Sequence, residues 1–277
     1  MANLKDKVAL VTGASRGVGK GIALGLGEAG AIVYVTGRTT IPGGGRLPGV
    51  IGETAEEVIL LGGKGIAIAC DHRDDEHVEA VFHQIQTEQG RIDILVNNVW
   101  GGYENMVENG EYTWERPFWQ QPLWRWDAMF AAGVRAHYTA SRLAAPVMVV
   151  QHSGLIVNIS YWAGQKHMGN TLYGVAKTAT DRLAADMAHE LREHNVAAVA
   201  LYPGLVRTEG VMAAAKFYDM SNSESPQFIG RAVAALAADP EVVKKNGQVL
   251  VAAALALEYG FTDIDGKQPR PLTYQDA

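Results

Sequence analysis

Short apolar runs rich in β-branched residues alternate with longer helical stretches along the chain. Seven runs are predicted to be strands, at residues 8–12, 31–36, 65–70, 92–97, 154–160, 196–202 and 248–251. The first six are apolar almost throughout, which is typical of parallel strands covered by helices on both faces. Helices are predicted near residues 17–29, 53–62, 74–89, 122–150, 172–194 and 225–238. This alternation predicts an α/β fold, a single-domain Rossmann-type doubly wound parallel sheet of about seven strands with helices on both faces.

Three connections are longer than the usual few residues. They are a glycine-rich flap at 37–52, an aromatic loop at 99–121 and a third loop at 203–225. All three leave strands at their carboxyl ends, where open α/β sheets bind ligands. We therefore expect these loops to shape a pocket. No linker or repeat divides the sequence, so residues 1–277 are interpreted as one domain.

Composition narrows the class of protein. The chain is 48% hydrophobic and has a formal net charge of −6, without long runs of one sign. Because phosphate backbones require clustered Lys and Arg, nucleic acid is not an expected partner. No apolar run is long enough for a membrane span, and the N-terminus lacks a signal-peptide pattern. The single cysteine, Cys70, suits a reducing compartment. We expect a cytoplasmic globular protein without a membrane partner.

A glycine-rich turn follows the first predicted strand and leads directly into a helix. It reads Thr12-Gly13-Ala14-Ser15-Arg16-Gly17-Val18-Gly19. Such glycines let the backbone approach a pyrophosphate, which can bind at the positive N-terminus of the helix. An ordinary strand-to-helix turn would look similar, but the repeating βαβ context favours a dinucleotide site. The candidate cofactor contacts here are Gly13, Ser15, Arg16, Val18 and Gly19.

The end of the second strand bears on which dinucleotide is bound. An acidic residue there would bind the 2′-hydroxyl of NAD, but the strand ends Thr36-Gly37-Arg38. Arg38 and Arg16 can pair with a 2′-phosphate, which favours NADP(H). If both are only solvated surface charges, NAD(H) remains possible. Arg46 is a further candidate cation, and Asp71 is either an acceptor for the adenine amino group or a turn residue.

Tyr173 and Lys177 form the strongest candidate for chemistry. Residues four apart lie on the same face of a helix, so the phenol and the ammonium can face one crevice. A nearby cation favours the phenolate and makes the tyrosine usable as a proton donor and acceptor. Ser160, at the end of the fifth strand, can hydrogen-bond a substrate oxygen. Tyr-x-x-x-Lys alone also fits a surface helix, but its combination with Ser160 and the glycine-rich turn favours catalysis.

Two other groups of residues could have a functional role. Four tryptophans could line an aromatic wall of the substrate site, or could pack within a loop or between subunits. They are Trp114, Trp119, Trp124 and Trp126. His72, His77 and His83 do not share one helix face, and no Cys/His ligand spacing occurs, so no metal is expected.

These motifs resemble the short-chain dehydrogenase/reductase superfamily over essentially the whole chain. The motifs that carry the resemblance are the glycine-rich turn, Asp71, Asn97-Asn98, Ser160, Tyr173 with Lys177, and Pro203-Gly204-x-Val206-x-Thr208. A closer likeness is to the branch represented by dehydrogenase/reductase member one. That likeness rests on Val35-Thr36-Gly37-Arg38, on residues 183–191, and on Glu258-Tyr259-Gly260 with Asp263-Ile264-Asp265-Gly266.

The resemblance implies roles for individual residues. Ser160 would orient a carbonyl, Tyr173 would give the proton, and Lys177 would hold the nicotinamide ribose. Asn98 and Val206 would line the cofactor site, with Thr208 near the carboxamide. The branch is similar to NADPH-preferring carbonyl reductases of steroids and xenobiotic ketones, and the family implies a homodimer or homotetramer.

The sequence departs from the family pattern at two positions. Where the family has Asn-Asn-Ala-Gly, this chain has Asn97-Asn98-Val99-Trp100, which places a large ring beside the nicotinamide region or in the aromatic loop. The family's fourth catalytic residue, an Asn that helps hold a proton-relay water, aligns with Gly133. By the resemblance, this departure concerns the proton relay and not hydride transfer, and the exposed backbone carbonyl of Gly133 is an alternative group to hold the water.

The expected function is an NADPH-dependent carbonyl reductase, reversible as an alcohol dehydrogenase, that acts on a bulky ketone or aldehyde. One alternative is the same enzyme using NAD(H). A second alternative is a sensor that binds NADPH without turning over a substrate. Gly133 and Trp100 favour this alternative, whereas the presence of Ser160, Tyr173 and Lys177 argues against it.

Overall fold

A computed structural model describes residues 2–45 and 47–276, so the candidate cation Arg46 lies outside the described residues. Seven parallel strands form one sheet in the order β3-β2-β1-β4-β7-β8-β9, and β5 and β6 form a separate antiparallel hairpin. The strands are β1 Val8–Val11, β2 Ile32–Gly37, β3 Lys64–Ala69, β4 Ile94–Asn97, β5 Val107–Glu108, β6 Glu111–Tyr112, β7 Gly154–Ile159, β8 Val196–Tyr202 and β9 Val249–Val251. The predicted Rossmann-type sheet is confirmed, with strand boundaries within two residues of those predicted.

Helices cover both faces of this sheet. They are α1 Gly17–Glu28, α2 Ile51–Leu60, α3 Asp75–Gln89, α4 Leu123–Met129, α5 Ala136–Gln151, α6 Thr171–Leu191, α7 Glu209–Ala213, α8 Pro226–Ala238 and α9 Ala252–Tyr259. None of the helices in residues 2–45 and 47–276 is long and apolar enough to cross a bilayer.

Alternate residues of each strand enter opposite cores. Ala9 and Val11 of β1 pack with α1, α2, α8 and α9, whereas Val8 and Leu10 pack with α3, α5 and α6. Side chains of a strand point alternately to its two faces, so a sheet covered on both sides needs apolar residues at nearly every position. This requirement explains why the strands were predictable from unbroken apolar runs.

The region 122–150 differs from the single helix that the sequence predicts. The structure divides it into α4, a π-helical turn at Phe130–Arg135 and α5. The aromatic loop contains the β5–β6 hairpin, and the short helices α7 and α9 were not predicted. The hydrophobic periodicity of the sequence does not reveal such short elements. A π turn, for example, adds only one residue to a helical turn.

The strand order brings two turns together at the carboxyl edge of the sheet. β1 lies between β2 and β4, and the backbone N–H of Thr12 donates to the carbonyl oxygen of Val96 at 3.0 Å. The chain leaves β1 toward one side of the sheet and later returns on the other, which creates a topological switch point. The turns after β1 and β4 therefore face one crevice.

Helices α1 and α8 approach closely through glycines. A Cβ atom on Gly25 would lie 2.4 Å from the carbonyl carbon of Gly230, and one on Gly230 would lie 2.2 Å from the oxygen of Gly21. Only backbone atoms meet at these points, so no side chain can move aside. The contact holds α1, and with it the glycine-rich turn, against the rest of the fold.

Replacing Gly25 with alanine is expected to lower the free energy of unfolding by about 1–3 kcal/mol, because the methyl group forces the two backbones apart. Urea denaturation followed by circular dichroism measures the loss. Gly52→Ala in α2 is the matched control, since no atom lies within 4 Å of its added Cβ. Equal stability of the two variants would contradict the packing described here.

Candidate active site

The glycine-rich turn lies directly against the end of β4. Gly13 has a positive φ of 66°, which favours glycine, and a Cβ there would lie 2.8 Å from Cα of Val99. A Cβ on Gly19 would lie 2.3 Å from Nδ2 of Asn98. Glycine at both positions therefore permits the close approach of the turn to the end of β4.

Asn98 links the two turns by hydrogen bonds. Its Nδ2 donates to the carbonyl oxygens of Thr12 and Gly13, both at 2.9 Å, and its backbone N–H donates to Oγ1 of Thr12 at 2.9 Å. These bonds fix the direction of the backbone at the carboxyl edge. Ser15 is buried in the same turn, and the partly buried Val18 packs on the core beneath it.

A carboxylate occupies the N-terminus of α1. Oε2 of Glu209 accepts the backbone N–H of Gly17 at 3.0 Å, and Oε1 accepts the same group at 3.3 Å. Glu209 begins α7, and Thr208 caps that helix by accepting the N–H of Val211. The position attracts anions because the first N–H groups of a helix lack helical partners. In this structure the carboxylate of Glu209 therefore takes the place at the N-terminus of α1 that suits a negative group.

Val206 and Thr208 bring the third loop to the same turn. Val206 is buried and forms an isolated parallel bridge with Glu224. A Cβ on Gly17 would lie 3.4 Å from Cγ2 of Thr208, so the two residues are neighbours. Of these two predicted cofactor contacts, the structure thus places Thr208 beside the glycine-rich turn.

The two candidate phosphate-binding arginines hold different partners. Nη2 of Arg16 donates to Oγ1 of Thr39 at 2.9 Å and to the carbonyl oxygen of Gly49 at 3.3 Å, both in the flap. Arg38 forms a half-exposed ion pair with Glu104 at 2.5 Å. Both arginines are thus paired with protein groups, Arg16 with the flap and Arg38 with the aromatic loop.

Asp71 lies at the end of β3 and pairs with Arg73. The Arg73 guanidinium donates to both carboxylate oxygens and lowers the pKa of Asp71 to about 2. Asp71 is therefore ionised at neutral pH and remains an acceptor. The observed contacts are those of a turn residue, which the sequence offered as the alternative to adenine binding.

The first turn of α6 positions the strongest candidates for chemistry. Asn170 caps this helix by accepting the backbone N–H of Tyr173 at 3.0 Å. Tyr173 and Lys177 are each only 5% exposed. Nζ of Lys177 donates to the carbonyl oxygen of Ile159 at 3.1 Å, and Oγ of the buried Ser160 donates to the carbonyl oxygen of Lys177 at 3.3 Å. The three residues predicted from the sequence therefore lie at one place.

Aromatic rings cover the Tyr173 side chain. The hydroxyl oxygens of Tyr103 and Tyr173 are 2.8 Å apart, and the rings of Trp114 and Trp100 lie 5.4 and 5.8 Å from the Tyr173 ring between centroids. We call Trp100, Tyr103 and Trp114 the aromatic cover. The hydroxyl of Tyr103 thus occupies a hydrogen-bonding position on the Tyr173 hydroxyl.

Of the four tryptophans considered from the sequence, the structure brings Trp114 to Tyr173. Trp119 is 72% exposed and packs on Phe118, and Trp126 stacks on Phe130. Trp124 lies beneath the guanidinium of Arg125. The sequence did not distinguish these positions, because all four lie in or beside the same aromatic loop.

Arg125 was missed by sequence reasoning and fastens the aromatic loop. Its side chain is fully buried, and its guanidinium donates to the carbonyl oxygen and the hydroxyl of Thr113 at 2.9 and 2.8 Å and to the carbonyl oxygen of Asn105 at 3.2 Å. It also lies 5.8 Å from the centroid of Trp114. The sequence feature that could have indicated this role is the position of Arg125 between Trp124 and Trp126, because arginine packs on indole faces.

Burial sets the protonation of this site. Burial raises the pKa of the Tyr173 phenol well above its usual value, and Tyr103 adds to the effect. The sequence suggests that the nearby ammonium favours the phenolate, but the pKa of Tyr173 moves the other way because the phenol is buried. Burial lowers the pKa of Lys177 to about 8, and Asp181 opposes that change. At neutral pH Tyr173 therefore carries a proton to donate.

The sheet order, the switch point and the glycine-rich turn define a Rossmann-type dinucleotide-binding protein. The family model described as short chain dehydrogenase matches residues 7–219, and the chain belongs to that family of oxidoreductases. Dehydrogenase/reductase SDR family member 1 of Mus musculus is 42% identical over 281 residues, a match that covers 96% of this chain and 86% of the relative.

Two solved structures of similar proteins contain dinucleotides. A metagenomic short-chain oxidoreductase in complex with NADP is 29% identical with a TM-score of 0.69, covering 90% of this chain and 97% of that one. A 7α-hydroxysteroid dehydrogenase in complex with NADH and 7-oxo glycochenodeoxycholic acid is 26% identical with a TM-score of 0.71, covering 90% and 93%. The fold binds NAD(P)(H), and both forms of dinucleotide occur among its relatives.

The residues of this chain fit such a dinucleotide. The backbone N–H of Gly17, at the N-terminus of α1, pairs with an anionic group, the Glu209 carboxylate, as it would with a phosphate. Across residues 2–45 and 47–276, no cluster of three or more His, Cys, Asp or Glu side chains is arranged to hold a metal ion.

Glu209→Gln is expected to tighten binding of the dinucleotide about two- to tenfold, because it removes a negative charge from the N-terminus of α1. Isothermal titration with NADPH and with NADH gives the dissociation constants. Glu258→Gln on α9, whose carboxylate pairs with Lys245, is the charge-matched control. Weaker or unchanged binding by Glu209→Gln would mean that its carboxylate does not compete with the ligand.

Proposed function

We propose that this protein is an NADPH-dependent carbonyl reductase, reversible as an alcohol dehydrogenase, that acts on a bulky ketone or aldehyde. The observation that supports this most strongly is the buried, protonated Tyr173 one helical turn from Lys177 and beneath the aromatic cover. In this proposal Ser160, Tyr173 and Lys177 are the catalytic residues. The reaction consumes NADPH, one proton and a carbonyl compound, and yields NADP⁺ and an alcohol.

The protein's own groups act at the substrate oxygen. The nicotinamide, when bound, supplies the hydride that adds to the carbonyl carbon. The O–H of Tyr173 donates to the oxygen as negative charge develops there, and its proton is transferred to form the alcohol. Ser160 is the second donor to this oxygen, and the Lys177 ammonium holds the ribose and adds positive charge. Donors fixed in a dry site stabilise the developing alkoxide better than water does.

Substrate binding must displace Tyr103. Its hydroxyl is at hydrogen-bond distance from that of Tyr173, the place that a carbonyl oxygen takes in the reaction. All three long loops take part in this proposal: the flap holds Arg16, the third loop carries Glu209, and the aromatic loop covers Tyr173. Binding of dinucleotide and of substrate would release these contacts in turn.

The proposed preference for a bulky apolar carbonyl rests on the aromatic cover. Trp100, Tyr103 and Trp114 offer ring faces and edges around the Tyr173 hydroxyl, with centroids 5.4–5.8 Å from its ring. Aromatic rings of this kind favour large apolar ligands, which replace the ring–ring contacts on entry.

The proposed preference for NADPH rests on charge at the end of β2. Arg38 follows the strand directly, and Arg16 lies on the neighbouring turn. The proposed contacts to the rest of the dinucleotide are Gly13, Ser15, Val18, Gly19, Asp71, Asn98, Tyr173, Lys177, Val206 and Thr208.

Tyr173→Phe is expected to reduce turnover of ketones about 10²- to 10⁴-fold, because it removes the proton donor. Absorbance of NADPH and of NADH is followed with a panel of ketones, aldehydes and quinones. Tyr138→Phe, at an exposed position of α5, controls for the loss of a phenol. Full activity of Tyr173→Phe would refute its role. Tight NADPH binding by the wild type without turnover of any compound would instead favour the sensor.

Arg38→Gln is expected to weaken NADPH binding about 10- to 100-fold while leaving NADH binding unchanged, because it removes a charge-assisted bond to the 2′-phosphate. Fluorescence titration with both dinucleotides measures the two affinities. Arg182→Gln, an exposed arginine paired with Asp186 on α6, is the matched control. An equal loss for both dinucleotides would argue for the NAD-using alternative or a general electrostatic effect.

A further inference from the structure

The space above Gly133 is filled by the indole of Trp100. A Cβ atom on Gly133 would lie 2.8 Å from both Cε3 and Cζ3 of that ring. Gly133 lies in the π-helical turn Phe130–Arg135, which replaces regular helix at this point. Any side chain larger than hydrogen at position 133 would therefore push the indole away.

The ammonium of Lys177 lies over the same indole. Its Nζ lies 4.3 Å from the centroid of the Trp100 ring. Among the described residues, Nζ donates one hydrogen bond, to the carbonyl oxygen of Ile159. A buried ammonium requires compensating partners, and the face of an indole attracts cations more strongly than any other aromatic side chain.

We propose that Trp100 is a positioning residue, whose ring, admitted by Gly133, holds the Lys177 ammonium in place and favours its charged form. The two departures from the family pattern are then one feature. The glycine at position 133 leaves the space that the indole fills, and the indole lies over the ammonium of Lys177. The inference deepens the proposed function and rests on it only for its effect on activity.

Other charged and titratable groups near Lys177 come from its own helix and from α5. Tyr173 and Asp181 lie on α6, and the carboxylate of Asp181 accepts from Tyr202 of β8. His137 on α5 faces Lys177, and burial together with that ammonium lowers the pKa of His137 to about 3. His137 is therefore neutral where Lys177 titrates, and substitution of Trp100 leaves all these groups in the chain.

The test is the titration of Lys177 in the ligand-free protein, followed by NMR of lysine labelled at Cε and assigned with Lys177→Arg. Trp100→Leu removes the ring face and is expected to lower the titration midpoint of Lys177 by about 0.5 to 1 pH unit, because the charged form loses its partner. Trp100→Phe keeps a smaller aromatic face and is expected to show a smaller fall.

Two further variants separate this effect from a general disturbance. Gly133→Ala keeps Trp100 but displaces its ring, so it is expected to lower the Lys177 midpoint as Trp100→Leu does. Gly52→Ala controls for a glycine replaced within a helix, and Trp119→Leu controls for an indole lost from the same loop. Both controls are expected to leave the midpoint unchanged.

An unchanged midpoint in Trp100→Leu, or an equal fall in Trp119→Leu, would overturn the proposal. Because the titration needs neither dinucleotide nor substrate, it decides the role of Trp100 even if no carbonyl compound is reduced. If the wild type does reduce a ketone, the same variants are expected to shift the pH profile of kcat/KM in the same direction. A loss of turnover by itself would test the proposed function and not the role of Trp100.

Discussion

Parallel pairing of β1 with β2 on one side and β4 on the other determines where polar groups of the site can lie. Both faces of the sheet are buried under helices, so side chains that need water or ligand must leave the strands at an end. All seven strands end at the same edge, and the switch between β1 and β4 opens a crevice there. The glycine-rich turn, Asn98 and Ser160 reach that edge because they follow β1, β4 and β7.

The chemistry of the site follows from how dry it is. Tyr173 and Lys177 are almost fully buried, and burial shifts both pKa values toward the neutral forms. A protonated phenol suits reduction, in which the substrate oxygen must gain a proton. The charged ammonium of Lys177 is unfavourable in such surroundings. The carbonyl oxygen of Ile159, the carboxylate of Asp181 and the indole of Trp100 together compensate for its burial.

The fold was predictable in detail because its signals are local and repeated. Short apolar runs identified the seven strands, six of them almost unbroken, and Tyr173 with Lys177 needed only helical spacing to be placed on one face. Trp100 was visible in the sequence as a departure, but its contact with Gly133 joins residues 33 positions apart through a π turn that no periodicity indicates. Glu209 and Arg125 act through tertiary contacts to Gly17 and Thr113, which the sequence around them does not specify.

The most direct test of the central claim is the fate of the hydride. NADPH carrying deuterium at one face of C4 is incubated with a reducible ketone, and the alcohol is analysed by mass spectrometry. The proposed mechanism predicts one deuterium on the carbinol carbon from one of the two labelled faces and none from the other, because a bound nicotinamide presents a single face to the substrate. Unlabelled alcohol from both forms of NADPH, or label from both in equal amounts, would contradict hydride transfer at this site.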